Sequence, residues 1–400
     1  MDLRSGCHLW AALGEPAAAY PPLDRDGACD VAILGGGITG ALVAHHLTRA
    51  GVDTLLLDRR DLCQGSTAAS TGLLQYELDT PLRDLIPLVG RADAVRAYQL
   101  CLATFDKFEA IVADLGDPCG FARRPSLYLA SHAAEAATLR EECALRRAAG
   151  IPVEYLAAAD IAGRFPFTAP AGLWSQAGAE IDPYRFSLRL ITAAARRGLR
   201  AFARTAVTRY DPGDDRVTLH TDRGPRVTAR RVVFATGYET ATFLRQDVVT
   251  LKSTYALASR PGLDLTPWPD RCLLWETARP YFYARTTPDG RALIGGADEP
   301  FADPERRDAL IPAKAAQLAQ RFEQMFPTIP FDPDCAWAGT FGETKDGLPY
   351  IGATPDFPLG FFALGYGGNG ITFSLIAAEL LRDQFLGRPN PDARLFRFGR

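Results

Sequence analysis

The stretch DVAILGGGITG, residues 30–40, decides the fold of the amino-terminal part of the chain. An apolar run at 31–34 ends abruptly in glycines, and the apolar pattern at 41–47 is typical of a helix that Gly51 ends. The stretch therefore predicts a buried strand, a tight turn and a helix.

The three spaced glycines of this turn suit a dinucleotide. Gly35 permits the tight turn, Gly37 removes a side chain that would block a pyrophosphate, and Gly40 lets helix and strand pack closely. A second apolar strand at 52–57 ends in Asp58, at the spacing where an acid binds ribose hydroxyls. We therefore predict a dinucleotide site whose phosphates lie at the helix N-terminus.

Length and charge limit the other possibilities. The chain has 400 residues, of which 47% are hydrophobic, so it can bury a large core and form two domains. A net charge of −3 gives no excess of basic residues, so no nucleic-acid partner is predicted.

The N-terminal sequence lacks the pattern of a signal peptide, and no apolar run reaches the roughly 18 residues of a membrane span. We expect a cytoplasmic protein.

The eight cysteines are scattered along the chain. They form no C-x-x-C pair and no group with histidine at metal-ligand spacing. We therefore expect reduced thiols and no metal site.

The rest of the chain changes character from helical to strand-rich. Residues 1–29, rich in proline and alanine, predict an extension that lies over the surface. Residues 91–150 are mostly helical in pattern, and a last helix is predicted at 370–385. Between them, strand patterns separated by Pro- and Gly-rich turns predict an antiparallel sheet; they lie at 253–259, 273–276, 281–285 and 292–295.

Three further segments suit a flavin rather than a nicotinamide. Residues 65–72 are small or carry hydroxyls that could donate to the edge of a ring system, although an ordinary polar loop has the same composition. Residues 232–237 predict a strand that ends in small residues. Residues 365–371 place four glycines before a helix N-terminus, which forms a nest for an anion.

Together these segments resemble the D-amino-acid-oxidase-like flavoprotein superfamily, above all its branch of glycine oxidase, sarcosine oxidase and γ-glutamylputrescine oxidase. The resemblance covers nearly the whole chain and rests on 33–40 with Asp58, 65–70, 235–237, 337–339, 344–352 and 365–371. It implies an α/β fold in which an FAD-binding Rossmann-like domain joins a second, substrate domain built on an antiparallel sheet flanked by helices. The expected boundaries are 1–85, 172–250 and 335–400 for the first domain, and 86–171 and 251–334 for the second.

The resemblance also implies which residues bind the cofactor, a non-covalent FAD. These are Gly35, Gly37, Ile38, Gly40, Asp58, Arg59, Gly65, Ser66, Thr67, Ser70, Val207, Ala235, Thr236, Gly237, Gly367, Gly368, Asn369, Gly370 and Ile371. Residues 368–371 are expected to point backbone amides at flavin N1 and the C2 carbonyl. Sarcosine oxidase joins its flavin to a cysteine in the stretch matched by 338–341, which holds none here.

The activity implied is oxidation of the C–N bond of an amine or amino-acid-like substrate, with a hydride passing to flavin N5 and an imine as product. The electron acceptor is oxygen or a carrier. One alternative keeps the fold and makes the chain an FAD-dependent 2-hydroxy-acid or polyol-phosphate dehydrogenase. Another is a flavin-binding partner subunit without turnover of its own.

The substrate side departs from the family. Glycine oxidase has a carboxylate-binding arginine where this chain has Phe341, so another arginine would have to replace it; the candidates are Arg285, Arg279 and Arg124. Tyr281 and Tyr283 share one strand face at period 2. We predict that Tyr281, Tyr283 and Asn369 are catalytic and that Tyr255, Phe341 and Arg285 contact substrate, although each aromatic residue could equally belong to the core.

Overall fold

The protein is described by a computed structural model that covers residues 2–14, 19–242, 244 and 248–400. The strands are β1 Arg4–Gly6, β2 Gly27–Leu34, β3 Thr54–Leu57, β4 Leu73–Leu74, β5 Ala122–Arg123, β6 Ser126–Leu129, β7 Glu154–Ala157, β8 Ala171–Ser175, β9 Ala179–Glu180, β10 Arg200–Phe202, β11 Val207–Pro212, β12 Val217–Thr221, β13 Arg226–Phe234, β14 Thr250–Ser259, β15 Leu273–Glu276, β16 Phe282–Thr286, β17 Ala292–Glu299, β18 Pro333–Glu343, β19 Tyr350–Ala353 and β20 Gly360–Leu364. The helices are α1 Leu9–Leu13, α2 Ile38–Arg49, α3 Ser66–Ala69, α4 Leu82–Val89, α5 Arg91–Leu115, α6 Ala136–Ala148, α7 Ala158–Arg164, α8 Pro183–Ala195, α9 Pro304–Ala309, α10 Ile311–Met325 and α11 Gly370–Phe385.

An eight-stranded sheet holds the predicted strand, turn and helix. Its order is β10-β3-β2-β13-β12-β11, with β20 and β19 continuing beside the last part of β13. The strands β10, β3, β2, β13 and β20 run parallel. The predicted buried strand is the end of β2, and after a turn of three residues α2 begins at Ile38. Because parallel strands end at one edge of a sheet, ligands bind there in open α/β folds.

The second large sheet has nine strands, in the order β1-β18-β14-β17-β16-β15-β6-β8-β7. Neighbours are antiparallel except β15 and β6. The helix α10 packs on this sheet through Leu318 and Phe322, which are 3% and 0% exposed. The predicted antiparallel sheet flanked by helices is confirmed, and a small sheet, β4-β9-β5, lies apart from both.

The N-terminal segment contradicts the prediction of a surface extension. The strand β1 pairs antiparallel with β18 at the edge of the nine-stranded sheet. Leu3, Leu9 and Trp10 are buried, and the Trp10 Nε1 atom donates a hydrogen bond to the Ser70 carbonyl at 2.6 Å. The prediction is wrong because these few apolar side chains and an open sheet edge outweigh the proline- and alanine-rich composition around them.

The same pairing corrects the expectation of reduced thiols for one pair of cysteines. Since Gly6 lies opposite Trp337, Cys7 comes within 5.1 Å of Cys335 between Cα atoms, and the two form a disulfide bond. The free cysteines are buried; they are Cys29, Cys63, Cys101, Cys119, Cys143 and Cys272.

The division into two domains stays a prediction. The strands β1, β8 and β18 belong to the nine-stranded sheet, whereas the expected boundaries assign β1 and nearly all of β8 and β18 to the cofactor domain. No helix in the described part of the chain combines the length and the apolar character that a membrane span requires.

Candidate functional site

Two adjoining cavities lie between the sheets. The larger, of about 470 Å³, lies where β2, β3 and β13 end. The smaller, of about 160 Å³, lies against β15, β16 and β18 of the nine-stranded sheet. Both are lined by Leu3, Ser66, Ser70, Tyr238, Gly370 and Ile371. These shared residues mark the junction where a ligand of one cavity would meet a ligand of the other.

The glycine turn has no space for side chains. Gly35 has a φ of +104°, and a Cβ there would lie 2.4 Å from the Ala235 carbonyl oxygen. A Cβ on Gly40 would lie 1.9 Å from the Gly35 carbonyl oxygen, and one on Gly37 would lie 2.9 Å from Thr67 Oγ1. Gly35 and Gly37 line the larger cavity. Gly40 instead allows α2 to approach the turn, which is the packing role that the spacing predicts.

Asp58 fastens the turn from the end of β3. Its Oδ2 accepts a hydrogen bond from the Gly36 amide at 2.7 Å, and its Oδ1 accepts one from the Arg60 amide at 2.8 Å. Burial raises the pKa of this carboxyl above its ordinary value, although both hydrogen bonds act in the opposite direction. Because Asp58 also lines the larger cavity, its remaining lone pairs can accept from ribose hydroxyls.

The segment after Gly65 supplies hydroxyls to the larger cavity. Thr67 Oγ1 accepts a hydrogen bond from the Ile38 amide at 2.9 Å and so orders the first turn of α2. Ser66 Oγ is buried and has no hydrogen-bond partner among the described residues. A buried hydroxyl without a partner is costly, so this atom, at the junction of the cavities, fits the polar edge of a ligand.

Most residues predicted to bind the cofactor meet in one place. The larger cavity is lined by Gly35, Gly37, Ile38, Asp58, Arg59, Gly65, Ser66, Thr67, Ser70, Val207, Ala235, Thr236, Gly237, Gly370 and Ile371. It extends from β11 past the glycine turn to the N-terminus of α11. Three features of this cavity fit FAD: the turn with Gly35 and Gly37, the Asp58 carboxyl group at the end of β3, and the Ser66 hydroxyl, which has no hydrogen-bond partner among the described residues.

The N-terminus of α11 narrows the set of amides that can face a flavin. The Gly368 amide donates to Asp79 Oδ2 at 2.7 Å, and the Asn369 amide donates to the Tyr366 carbonyl at 3.2 Å. Gly370 and Ile371 line both cavities and belong to the first turn of the helix, whose amides have no partner within the helix. The expected set of four amides is therefore corrected to these two.

Asn369 holds the turn before α11 through its side chain, and its catalytic role stays a prediction. Its Nδ2 atom donates to the Glu77 carbonyl at 2.8 Å and to the Gln75 carbonyl at 3.2 Å. Both amide hydrogens are used in this way, so the side chain ties the segment 75–77 to the start of α11. Asn369 lines the smaller cavity with Gly367 and Gly368.

The smaller cavity has aromatic walls. Tyr281, Tyr283 and Phe341 line it as predicted, and the two tyrosine rings lie 5.8 Å apart between centroids. Burial raises the pKa of both phenols, so they stay protonated at neutral pH. Trp275 and Tyr238 complete the walls. Sequence reasoning missed both residues: Trp275 lies within an ordinary strand pattern, and Tyr238 comes directly after the predicted segment 232–237.

Two predicted substrate contacts lie elsewhere. Tyr255 is 2% exposed and lies in the apolar core with Phe282. Tyr283 follows Phe282 in β16, so its side chain points to the opposite face of the nine-stranded sheet. Arg285 is fully buried two residues beyond Tyr283, where its Nη1 donates to the Gly72 carbonyl at 3.1 Å. The expectation of substrate contact is therefore corrected for Tyr255 and Arg285.

The other arginines considered in place of the missing one are also engaged. The Arg124 Nη2 atom donates to Glu180 Oε1 at 2.9 Å. Arg279 is exposed, lies 4.7 Å from the Tyr281 ring centroid, and donates to the Asp79 carbonyl at 3.2 Å. Neither side chain is among the described residues that line the smaller cavity. The only charged residues in that described lining are Glu77 and Asp79, which no sequence motif indicated.

Comparison with known proteins identifies the family of the chain. Residues 30–384 match the protein family described as DAO, FAD dependent oxidoreductase. The chain is 26% identical to glycine oxidase of Geobacillus kaustophilus over 375 residues, which cover 88% of this chain and 92% of the relative. It is 25% identical to gamma-glutamylputrescine oxidoreductase of Escherichia coli over 390 residues, 94% of this chain and 88% of the relative.

The fold agrees as well. The crystal structure of glycine oxidase from Geobacillus kaustophilus has a TM-score of 0.77 at 21% sequence identity, and the match covers 94% of this chain and 99% of that one. The predicted family, fold class and cofactor are confirmed. With a match that spans most of its length, the chain belongs to the DAO family of FAD-dependent oxidoreductases.

Proposed function

We propose that this protein oxidises the C–N bond of an amine or amino-acid-like substrate and gives an imine, as its family membership supports. The observation that carries the proposal is the junction of the two cavities. The larger cavity fits FAD, and the smaller, aromatic cavity meets it at the N-terminus of α11. A substrate carbon held in the smaller cavity would therefore lie beside the flavin.

Bound FAD would supply the acceptor for the substrate hydride, at flavin N5. The chain contributes orientation and electrostatics. The amides of Gly370 and Ile371 lie at the positive end of α11, where they stabilise negative charge that develops at the junction. The aromatic walls exclude water and lower the pKa of a buried amine, so that its nitrogen is neutral and its lone pair can form the C=N bond.

The charge of the smaller cavity favours an amine over the alternative dehydrogenase. A 2-hydroxy acid or a polyol phosphate brings at least one negative charge, which needs a basic partner. In the described lining the charged groups are Glu77 and Asp79, which repel an anion. A partner subunit without turnover would not need a cavity that opens onto the flavin site.

The final electron acceptor is proposed to be oxygen or a carrier, and the location to be cytoplasmic. Admitting oxygen to the reduced protein separates the two acceptors. Rapid return of the flavin absorbance identifies an oxidase, whereas slow return that a quinone or another carrier accelerates identifies a dehydrogenase.

Anaerobic mixing tests the proposed reaction. Purified protein loaded with FAD is mixed with secondary amines, primary amines, amino acids and 2-hydroxy acids, and the flavin absorbance is followed. We expect amines or amino acids to bleach the flavin. Bleaching by hydroxy acids alone would support the alternative, and protein that binds no FAD would contradict the proposal.

A further inference from the structure

The charges around the smaller cavity define what its substrate can carry. The described lining contains two acidic side chains, Glu77 and Asp79, and no basic one. Burial raises the pKa of both carboxyl groups above their ordinary values. Phe341, which is 8% exposed, lines the cavity, and no arginine or lysine is among the described residues of its lining. The cavity therefore offers two carboxylates and aromatic faces, a combination that binds cations.

One carboxyl oxygen of Glu77 can accept a hydrogen bond. It is 4% exposed, and its Oε2 atom has no hydrogen-bond partner among the described residues. Arg146 Nη1 lies 3.9 Å from the other oxygen, Oε1, but Arg146 Nε donates to Glu142 at 2.7 Å. Arg146 thus balances part of the charge of Glu77 without saturating its acceptors, and a buried carboxylate oxygen without a partner gains from a donor.

Asp79 stands at the rim of the same cavity. Its Oδ2 atom accepts from the Gly368 amide, which leaves the second carboxylate oxygen for another donor. The nearby cation Lys252 is paired with Glu343 at 2.5 Å. Arg279 contacts the Asp79 backbone carbonyl and is exposed. The carboxylate of Asp79 thus has only partial compensation from these two cations.

We propose that the substrate is an amine with a second, cationic nitrogen remote from the oxidised C–N bond and with no α-carboxylate, and that Glu77 and Asp79 bind this cation. The inference rests on the proposed function and names its substrate class. In the reaction, the carbon beside the neutral nitrogen loses a hydride to FAD, and the lone pair of that nitrogen forms the C=N bond. The distal nitrogen keeps its proton throughout.

Three compounds of one chain length test the proposal in the FAD-loaded protein. They are 1,4-diaminobutane with a distal cation, butylamine with none, and 4-aminobutanoate with a distal anion. We expect 1,4-diaminobutane to reduce the flavin at least about tenfold more efficiently at low concentration than butylamine, and 4-aminobutanoate to be the poorest. Equal rates for the three, or a preference for 4-aminobutanoate, glycine or sarcosine, would overturn the inference and leave amine oxidation standing.

Charge-neutralising variants identify the two carboxylates. In Asp79→Asn and Glu77→Gln the preference for 1,4-diaminobutane over butylamine should shrink about tenfold or more. Glu323→Gln, an exposed acid on α10, is the matched control and should keep the preference. FAD content and melting temperature show whether each variant is folded. An unchanged preference in both folded cavity variants would overturn the assignment.

Binding without turnover gives a second readout. Tetramethylammonium has no lone pair and cannot form an imine, but it is a cation that suits aromatic walls and carboxylates. We expect it to perturb the flavin absorbance of the wild-type protein and to do so weakly in Asp79→Asn, whereas acetate should have no effect. Perturbation by acetate alone would contradict the proposal. If no amine bleaches the flavin but tetramethylammonium binds, the proposed oxidation fails while the cation site stands.

Discussion

The carboxylate of Asp79 accepts a hydrogen bond from the Gly368 amide at 2.7 Å, which fastens the segment after β4 to the turn that starts α11. Asn369 makes a parallel connection through its side chain to the Glu77 carbonyl. The two connections hold one wall of the smaller cavity against the helix terminus that faces the larger one. Substrate and cofactor positions are therefore coupled through the start of α11.

This connection predicts a difference between two variants of Asp79. Asp79→Ala removes the acceptor for the Gly368 amide, whereas Asp79→Asn keeps an oxygen there. We expect the free energy of unfolding to be about 1–2 kcal/mol lower for the alanine variant than for the asparagine variant. Chemical denaturation of both apo-proteins measures this, and equal stabilities would show that the hydrogen bond does not hold the turn.

Gly40→Ala should disrupt the packing of α2 against the glycine turn at 35–40. A Cβ there would lie 1.9 Å from a backbone oxygen, so α2 must move away from the glycine turn. We expect strongly reduced FAD content and a lower melting temperature. The control is Gly163→Ala in the exposed part of α7, where a Cβ meets nothing within 4 Å and the helix gains a few tenths to about 1 kcal/mol. Normal FAD content in Gly40→Ala would contradict this packing role.

Ser66→Ala separates cofactor binding from protein stability. Because Ser66 Oγ is buried without a partner, its removal should leave the apo-protein as stable or slightly more stable. If the hydroxyl binds the flavin, FAD affinity should fall about five- to tenfold, the loss of one hydrogen bond. Titration of apo-protein with FAD measures the affinity. The control, Thr67→Val, removes the acceptor for the Ile38 amide and should lower both stability and affinity. Unchanged affinity in Ser66→Ala would place the flavin elsewhere.

Asp298 gives a pH dependence with a definite sign. Burial raises its pKa from 3.8 to about 6, so the folded protein holds this proton more tightly than the unfolded chain. Its ionised form therefore destabilises the fold above about pH 6, and the effect vanishes below the unfolded pKa, near pH 4. Asp298→Asn should be more stable than wild type at pH 8, by at most about 3 kcal/mol, and equal to it near pH 4.

Melting curves of both proteins across this range measure the difference, in which the titration of other groups largely cancels. The neighbours Asp79, Glu343 and Lys252 influence this carboxyl, so the midpoint can move, but the sign cannot. A stability gain that is larger at low pH would contradict the assignment.

Much of the cofactor site could be predicted because its signals are local. The turn at 35–40 requires glycine for backbone reasons that act within a few residues, and α11 spans the residues that the sequence predicted, 370–385. Such positions are recognisable without knowledge of the tertiary structure. The fold class was implied by the family resemblance, which rests in part on these segments.

The substrate side could not be predicted to the same depth because it depends on long-range packing. Leu3 and Asp79 reach the cavities through strand pairing and one hydrogen bond between segments far apart in sequence. Tyr255 and Arg285 have the residue types of a substrate site, but both lie in the interior. Tyr255 is on the core face of β14, and Arg285 lies too far along β16 to reach the smaller cavity. Alternation along a strand identifies two faces without saying which one meets a ligand.

The most direct test of the central claim is the flavin absorbance of the FAD-loaded protein after anaerobic mixing with 1,4-diaminobutane and, separately, with a 2-hydroxy acid such as lactate. The account predicts that the amine bleaches the flavin and that lactate leaves it oxidised. Bleaching by lactate with none by any amine or amino acid would contradict it.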